Sequence, residues 1–321
     1  MKKILYIVLC VFLAACSEQP EIALQIHSCA PIPSPRACAT AFVANGQAYV
    51  FAGRDTAGVA QNDLWRYDPE TDTWTDMGAT PLDSRVNATA CVCDGRVYLG
   101  LGFNGGYGND PSYLRDFWAY TPATNEWTRL ADYPNRYTDR ATSFVGQGEL
   151  YVGYGFCWTY RRDMFRYDIA TNTWDSIDVQ IDRFDEPTRS FGGTGCTCMG
   201  RHFMGSGYYR KSLNWWAELV NGTWEERTPI PGKTRTLASS AATTDHIYVI
   251  GGLHYGGVNT TGDVLRDIRR YDPAADKWSY IAVMPEGLYN HCCFTIGKRV
   301  YFGLGEGLDE QISNQLYWFE E

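Results

Sequence analysis

Positive charge is scarce in this chain. Against 37 Asp and Glu stand 28 Lys and Arg, a formal net charge of -9 over 321 residues. A nucleic-acid footprint needs a basic stripe, so no nucleic-acid partner is expected. Histidine is scarcer still, with five, at 27, 202, 246, 254 and 291. No C-x-x-C pair is present to start a four-ligand zinc site, and no metal or other cofactor is expected. The N-terminal apolar run, Ile4 to Leu13, has 10 residues, too short for a helix that crosses a bilayer. What abounds instead is 22 Tyr, 11 Trp, 14 Phe and 32 Gly, the usage of short strands joined by tight turns.

The N-terminus reads as a processing signal to be set apart from the fold. Lys2 and Lys3 precede the apolar run, and Leu13-Ala14-Ala15-Cys16 follows it. This stretch resembles the bacterial lipobox. The resemblance implies cleavage before Cys16, lipid on its thiol and stable attachment to a membrane of the cell envelope. Residues 1–16 are therefore expected to be signal, 17–20 a short tether and 21–321 the folded domain.

An internal repeat organises that domain. An aromatic residue, a short spacer and a closing glycine, in most copies with a second glycine just before it, recur at Tyr49 to Gly53, Tyr98 to Gly102, Tyr151 to Gly155, Phe203 to Gly207, Tyr248 to Gly252 and Tyr301 to Gly305. The final glycines lie 49, 53, 52, 45 and 53 residues apart. Each unit reads as four strands, a to d. In the first unit, Cys38 to Ala44 is strand a, Asn45-Gly46 a hairpin turn, Ala48 to Gly53 strand b, Leu64 to Tyr67 strand c and Thr73 to Thr75 strand d. The strand-d Trp74 recurs as Trp127, Trp174, Trp224 and Trp278, and the strand-c Tyr67 as Tyr120, Tyr167, Tyr271 and Tyr317.

The glycine pair, the Tyr-Asp before a turn and the Trp beyond it resemble the kelch repeat, whose period is about 50 residues. The resemblance implies an all-β, six-bladed β-propeller. The last unit has no Trp-bearing strand d, so Glu21 to His27, with Ile22, Leu24 and Ile26 alternating, is expected to supply that outer strand and close the ring.

The a–b and c–d turns should lie on one trimmed face, and the d–a and long b–c connections on the other, where loops carry function. The short tether would hold the trimmed face toward the membrane. Arg36, Arg85 and Arg235 lie 17 residues before their unit's last glycine, and Arg140 and Arg189 fall close to that slot; blade six has Asn290 and His291 there. Two roles are open to these arginines. They could clamp the carboxylate of an acidic sugar or acidic peptide bidentately, or pair with strand-c acids such as Asp63, Asp116, Asp163 and Asp267. Loop aromatics, among them Phe103, Tyr107, Tyr113, Trp158, Tyr160, Tyr208, Tyr209 and Tyr255, could give stacking floors for a sugar. Cys91, Cys93, Cys196 and Cys198 read as buried small hydrophobes, and a Cys29–Cys38 or Cys38–Cys292 disulfide is open. Two functions suit this plan. One is a ligand-binding module for a glycan or protein on the loop face. The other follows from a resemblance, in blade number, export and arginines, to bacterial sialic acid mutarotases. It would need a carboxylate clamp and an acid/base group, with Asp55, Glu306 and Asp309 as acidic candidates.

Overall fold

The computed structural model describes residues 20–21, 24–105, 113–134, 138–146, 148–157, 159–160, 163–177, 180–181, 191–258 and 260–321. They form six four-stranded antiparallel blades around a central channel, a β-propeller. Blade 1 comprises strand a (Thr40–Ala44), b (Gln47–Phe51), c (Asp63–Asp68) and d (Thr73–Ala79). Blades 2 to 5 repeat the order, with strand a at Thr89–Cys93, Thr142–Gly146, Thr194–Cys198 and Ser239–Ala242. Blade 4 carries an extra outer strand, Gln180–Ile181, parallel to its strand d.

The glycine motif has a steric cause. Gly53 sits at φ +89°, and a Cβ there would come within 2.8 Å of the Ala37 carbonyl oxygen and of the Ala39 Cβ. A backbone that passes this close to its neighbour has no room for a side chain.

The aromatic repeat is the glue between blades. At five junctions a strand-b ring of one blade meets a strand-c ring of the next: Tyr49–Tyr120 at 6.1 Å, Tyr98–Tyr167 at 6.3 Å, Phe203–Tyr271 at 5.5 Å, Tyr248–Phe319 at 5.2 Å and Tyr301–Tyr67 at 6.0 Å between centroids. Most meet edge to face, the favoured arrangement for ring quadrupoles. The strand-d indoles of Trp74, Trp174 and Trp278 donate to the Ala30, Ala131 and Thr228 carbonyls in the linkers that precede their blades. One assignment changes in blade 6. Val300 pairs with Phe319, as Ala48 pairs with Tyr67, so Phe319 rather than Tyr317 holds the repeat's aromatic position. Tyr317 instead donates its hydroxyl to Glu286 at 3.1 Å.

The ring closes through the N-terminal segment, at a register later than the alternation of Ile22, Leu24 and Ile26 indicates. Blade 6 orders as the N-terminal strand, then c (Leu316–Glu320), b (Arg299–Gly303) and a (Cys292–Ile296). Within the N-terminal strand, His27 pairs with Trp318 and Ser28 with Tyr317. His27 stacks on Trp318 at 4.3 Å, and the Arg299 guanidinium lies 4.2 Å from the same ring. The preceding backbone turns to blade 5. Glu21 and Leu24 donate to the Tyr280 and Ile281 carbonyls, and Leu24 and Ile26 pack against the apolar cluster between blades 5 and 6. Ile22 and Ala23 lie outside the described residues.

Eight cysteines, 29, 38, 91, 93, 196, 198, 292 and 293, are free thiols, and neither disulfide considered above forms. The Cys93, Cys198 and Cys292 sulfurs donate weakly to backbone carbonyls of neighbouring blades. Burial in blade contacts takes the place of covalent pairing.

Candidate functional site at the loop-face channel mouth

After the last glycine of each motif the chain bridges to the d–a linker of its own blade, as in Ala37↔Arg54, Val86↔Phe103, Asp139↔Phe156, Phe191↔Tyr208, Thr236↔Leu253 and Tyr289↔Glu306. The following linker residue turns left-handed in every blade: Cys38, Asn87, Arg140, Gly192, Leu237 and Asn290, all with φ between 50° and 62°. Backbone bonds run between blades at this level, from Cys38 N to Asn290 O, Asn87 N to Cys38 O, Asn290 N to Leu237 O and Leu237 N to Gly192 O, at 2.7 to 3.0 Å. The six residues form the rim of a cavity of about 200 Å³.

The sequence-derived arginines separate into two groups. Arg36, Arg85 and Arg235 are buried and lie two residues before the rim. Arg36 forks onto Asp63 with both contacts at 2.6 Å, Arg85 onto Asp116 at 2.8 and 2.9 Å, and Arg235 onto Asp267 at 3.2 and 2.8 Å. Each also donates to a carbonyl in the glycine motif, Ala52, Leu101 or Gly251. These three brace linker against strand c, and that geometry replaces the clamp considered for them. Burial alone would raise the Asp116 and Asp267 carboxyls. The guanidiniums overcome it and hold both below the usual carboxylate range.

Arg140 belongs to the rim itself, two residues inward of the brace position. Its guanidinium pairs with Asp139 at 2.5 Å and lies 5.6 Å from the Phe191 ring. Asn290 is on the rim too and donates from Nδ2 to Glu306 Oε1 at 2.8 Å. Tyr255 stands further out, its ring 5.7 Å from Tyr208; burial first, then Tyr208, pushes its hydroxyl pKa up. Arg189, Trp158 and Tyr107 lie outside the described residues. Of the acidic candidates, Asp55 accepts from its own loop at Ala57 and Val59, Asp309 is exposed and Glu306 is at the mouth.

Three participants escaped the sequence reading: Arg54, Asp139 and Cys38. Glu306, 2% exposed, binds Arg54 in an ion pair across blades 6 and 1. The Cys38 thiol donates to Glu306 Oε1 at 3.6 Å. Burial drives that thiol up to about 12, with Arg140 and Arg54 opposing and Glu306 and Asp139 adding. Cys38 thus meets the Arg54–Glu306 pair through Glu306, and Arg140, paired with Asp139, lines the same rim cavity. Burial also raises the Asp139 carboxyl, against Arg140 and a hydrogen bond from Asn87. Beside this pair opens a cleft of about 210 Å³ walled by Phe103, Tyr113, Phe156 and Phe191. The repeat offers one signal for Asp139: it stands directly before the left-handed rim residue, where Ala37, Val86 and Thr236 stand in other blades.

Below the mouth, strands a line the channel with small residues, Ala, Thr, Ser and Gly, around about 340 Å³. His291 interrupts them. It is 5% exposed, and neither ring nitrogen has a hydrogen-bond partner. Burial pushes its pKa down to about 3. Among the described residues no three His, Cys, Asp or Glu converge as a metal site would require.

Residues 21–207, more than half of the chain, match the KLHDC2/KLHL20/DRC7 Kelch-repeats domain, and 234–285 match the Kelch motif. The chain belongs to the kelch-repeat family. This kelch chain is 29% identical over 94 residues to an N-acetylneuraminate epimerase of Shigella sonnei, which is 28% of this chain and 24% of the epimerase. An N-acetylneuraminate epimerase of Escherichia coli O157:H7 matches at 30% over the same coverage. The Kelch-like protein terF of Aspergillus terreus matches at 29% over 133 residues, 38% of this chain and 28% of that protein. The kelch chain therefore spans about a quarter of the length of the curated relatives it matches. The solved structure of YjhT aligns at a TM-score of 0.75 and 15% identity, over 90% of this chain and 95% of that one, which establishes a shared fold.

Removing a brace leaves its acid buried and unpaired. Arg85→Ala should cost about 3–5 kcal/mol in urea unfolding, whereas Arg140→Ala, on the half-open rim, should cost less than half of that. His291 gives a pH signature. Its folded pKa lies below its unfolded value near 6.5, so the folded state binds fewer protons. The stability it contributes is complete above about pH 6.5 and is lost as pH falls toward 3, by up to about 1.4 kcal/mol per pH unit. Unfolding free energies measured from pH 7 to 4.5 should fall less steeply in His291→Asn than in the wild type.

Proposed function

We propose that this kelch propeller binds a small acidic sugar over the loop-face mouth of its channel. The observation that carries the reading is the presence of two ion pairs at one mouth, Arg54–Glu306 and Arg140–Asp139, the second beside an aromatic-walled cleft. Arg54 and Arg140 are 35% and 21% exposed, and a planar guanidinium suits bidentate binding of a carboxylate. Aromatic walls suit the apolar face of a pyranose ring. The similarity to two N-acetylneuraminate epimerases, though limited to 28% of the chain, points to the same ligand class.

That similarity also favours a second reading, in which the bound sugar acid exchanges anomers. Such exchange needs a proton donor and acceptor near the ring oxygen. Asp139 has the environment for it, a carboxyl raised by burial at the edge of the cleft. Attachment through lipid on Cys16 completes the proposal, with the trimmed face toward the membrane and the mouth directed away.

Ligand-observed NMR with N-acetylneuraminate tests the site. Wild-type binding should weaken at least about tenfold in Arg140→Ala and in Arg54→Ala, the scale of one lost charge-assisted contact. No binding of any acidic sugar, with binding of an acidic peptide in its place, would reassign the ligand class. Exchange spectroscopy on the same samples separates the readings: accelerated anomer exchange that Asp139→Asn abolishes while binding persists marks an enzyme, and unaccelerated exchange marks a binding module. Cys16→Ser should move the chain from the membrane fraction to the soluble one.

A further inference from the structure

One junction departs from the aromatic rule of the other five. Between blades 3 and 4, the strand-c position that holds Tyr67, Tyr120, Tyr167, Tyr271 or Phe319 elsewhere holds Leu219. Its register leaves no doubt about equivalence: Leu219 pairs with His202 and Trp224, as Tyr120 pairs with Val97 and Trp127. The aromatic ring has moved one strand inward. His202 stands in strand b, where the sister blades have Ala48, Val97, Leu150, Ile247 and Val300. It stacks on Phe144 at 4.4 Å and shares a 2.8 Å hydrogen bond with Thr197.

The junction also carries a cleft. A cavity of about 710 Å³ lies there, lined by Phe144, Tyr151, Ile177, His202, Leu219 and Asn221 among others. That volume is within the range of small-molecule sites. It is separate from the channel mouth: the lining runs from the end of strand a and strand b of blade 3, with Ser176 and Ile177 of its strand d, to strands b and c and the a–b and c–d turns of blade 4.

The sister junctions show what such a space accepts. In four blades the strand-c tyrosine hydroxyl donates to an Asx side chain of the c–d turn: Tyr67 to Asp72 at 2.7 Å, Tyr120 to Asn125 at 3.1 Å, Tyr167 to Asn172 at 2.7 Å and Tyr271 to Asp276 at 2.7 Å. Each Asx residue is left-handed, with φ between 49° and 56°. Blade 4 has lost the tyrosine but kept an asparagine in its shorter turn. Asn221, at φ 50°, lines the cavity and accepts no hydrogen bond among the described residues.

We propose that this cleft is a binding site for a para-hydroxyphenyl group, the ring that the fourth repeat omits. The ligand ring lies between Tyr151 and Leu219, and its hydroxyl donates to the Asn221 side-chain oxygen. Small phenols and the tyrosine side chain of a peptide share this chemistry.

Saturation-transfer NMR on the full chain, with p-cresol, toluene and N-acetyl-tyrosinamide as probes, tests it. p-Cresol should bind about fivefold more tightly than toluene, the worth of one hydrogen bond. Asn221→Ala should erase that preference, and Leu219→Tyr, which restores the missing ring, should abolish binding of both. The exposed Asn221 variant decides the matter if Leu219→Tyr does not fold. N-acetyl-tyrosinamide binding as tightly as p-cresol assigns a tyrosine side chain as the ligand; p-cresol binding alone assigns free phenols. Equal affinity for toluene and p-cresol in the wild type, or p-cresol binding undiminished in a folded Leu219→Tyr, overturns the proposal. Arg140→Ala should leave p-cresol binding unchanged, which keeps this site separate from the channel mouth.

Discussion

The backbone hydrogen bonds that pass from blade to blade at the channel rim set the position of everything else at the mouth. Each uses a residue in the left-handed region, and five of the six are not glycine. That conformation costs roughly 1–2 kcal/mol per residue, comparable to the net worth of a hydrogen bond, so the rim contributes little stability of its own. Its contribution is placement. The turn starts strand a at a fixed height beside the channel, brings the glycine motif against the linker and leaves the rim side chains, Cys38, Asn87, Arg140 and Asn290, at one level. A propeller with these bonds in register presents a defined ring of side chains at its mouth.

Arginine serves two purposes a few ångströms apart, and desolvation separates them. Arg36, Arg85 and Arg235 are enclosed with their acids and with motif carbonyls, which satisfies the guanidinium fork within the protein. A buried pair of this kind costs heavily to break yet gives little net stability over an apolar substitute; what it fixes is the angle between linker and strand c. Arg54 and Arg140 are paired in the same way, to Glu306 and Asp139, but on a half-exposed rim.

The periodic features were legible because they recur. The glycine motif, the strand-d indoles and the strand-c tyrosines each mark a local contact that every blade repeats, and they lead to six blades. The braces were half legible: Arg36, Arg85 and Arg235 share a slot, but their direction depends on Asp63, Asp116 and Asp267 across a loop of variable length. Arg140 lies only two residues from that slot, and in a strand-like linker two residues change a buried position into a rim position. Arg54 and Glu306 meet only because the ring closes, 252 residues apart along the chain, so no single repeat contains their pairing. The closing strand pairs later than the alternation indicates for a similar reason. Alternation in Ile22 to Ile26 marks residues that seek an apolar surface, and Leu24 and Ile26 find it at the blade 5–6 boundary rather than in a ladder with blade 6.

The eight unbridged cysteines carry a consequence for how such a chain matures. Thiols pushed up to about 11 or 12 by burial, as at Cys29, Cys91 and Cys292, are almost wholly protonated at neutral pH and poor partners for exchange. In the folded propeller these buried thiols are therefore slow to react. The unfolded chain is not, because each sulfur then regains its ordinary acidity and access. In an oxidising space, folding therefore competes with mispairing of these thiols.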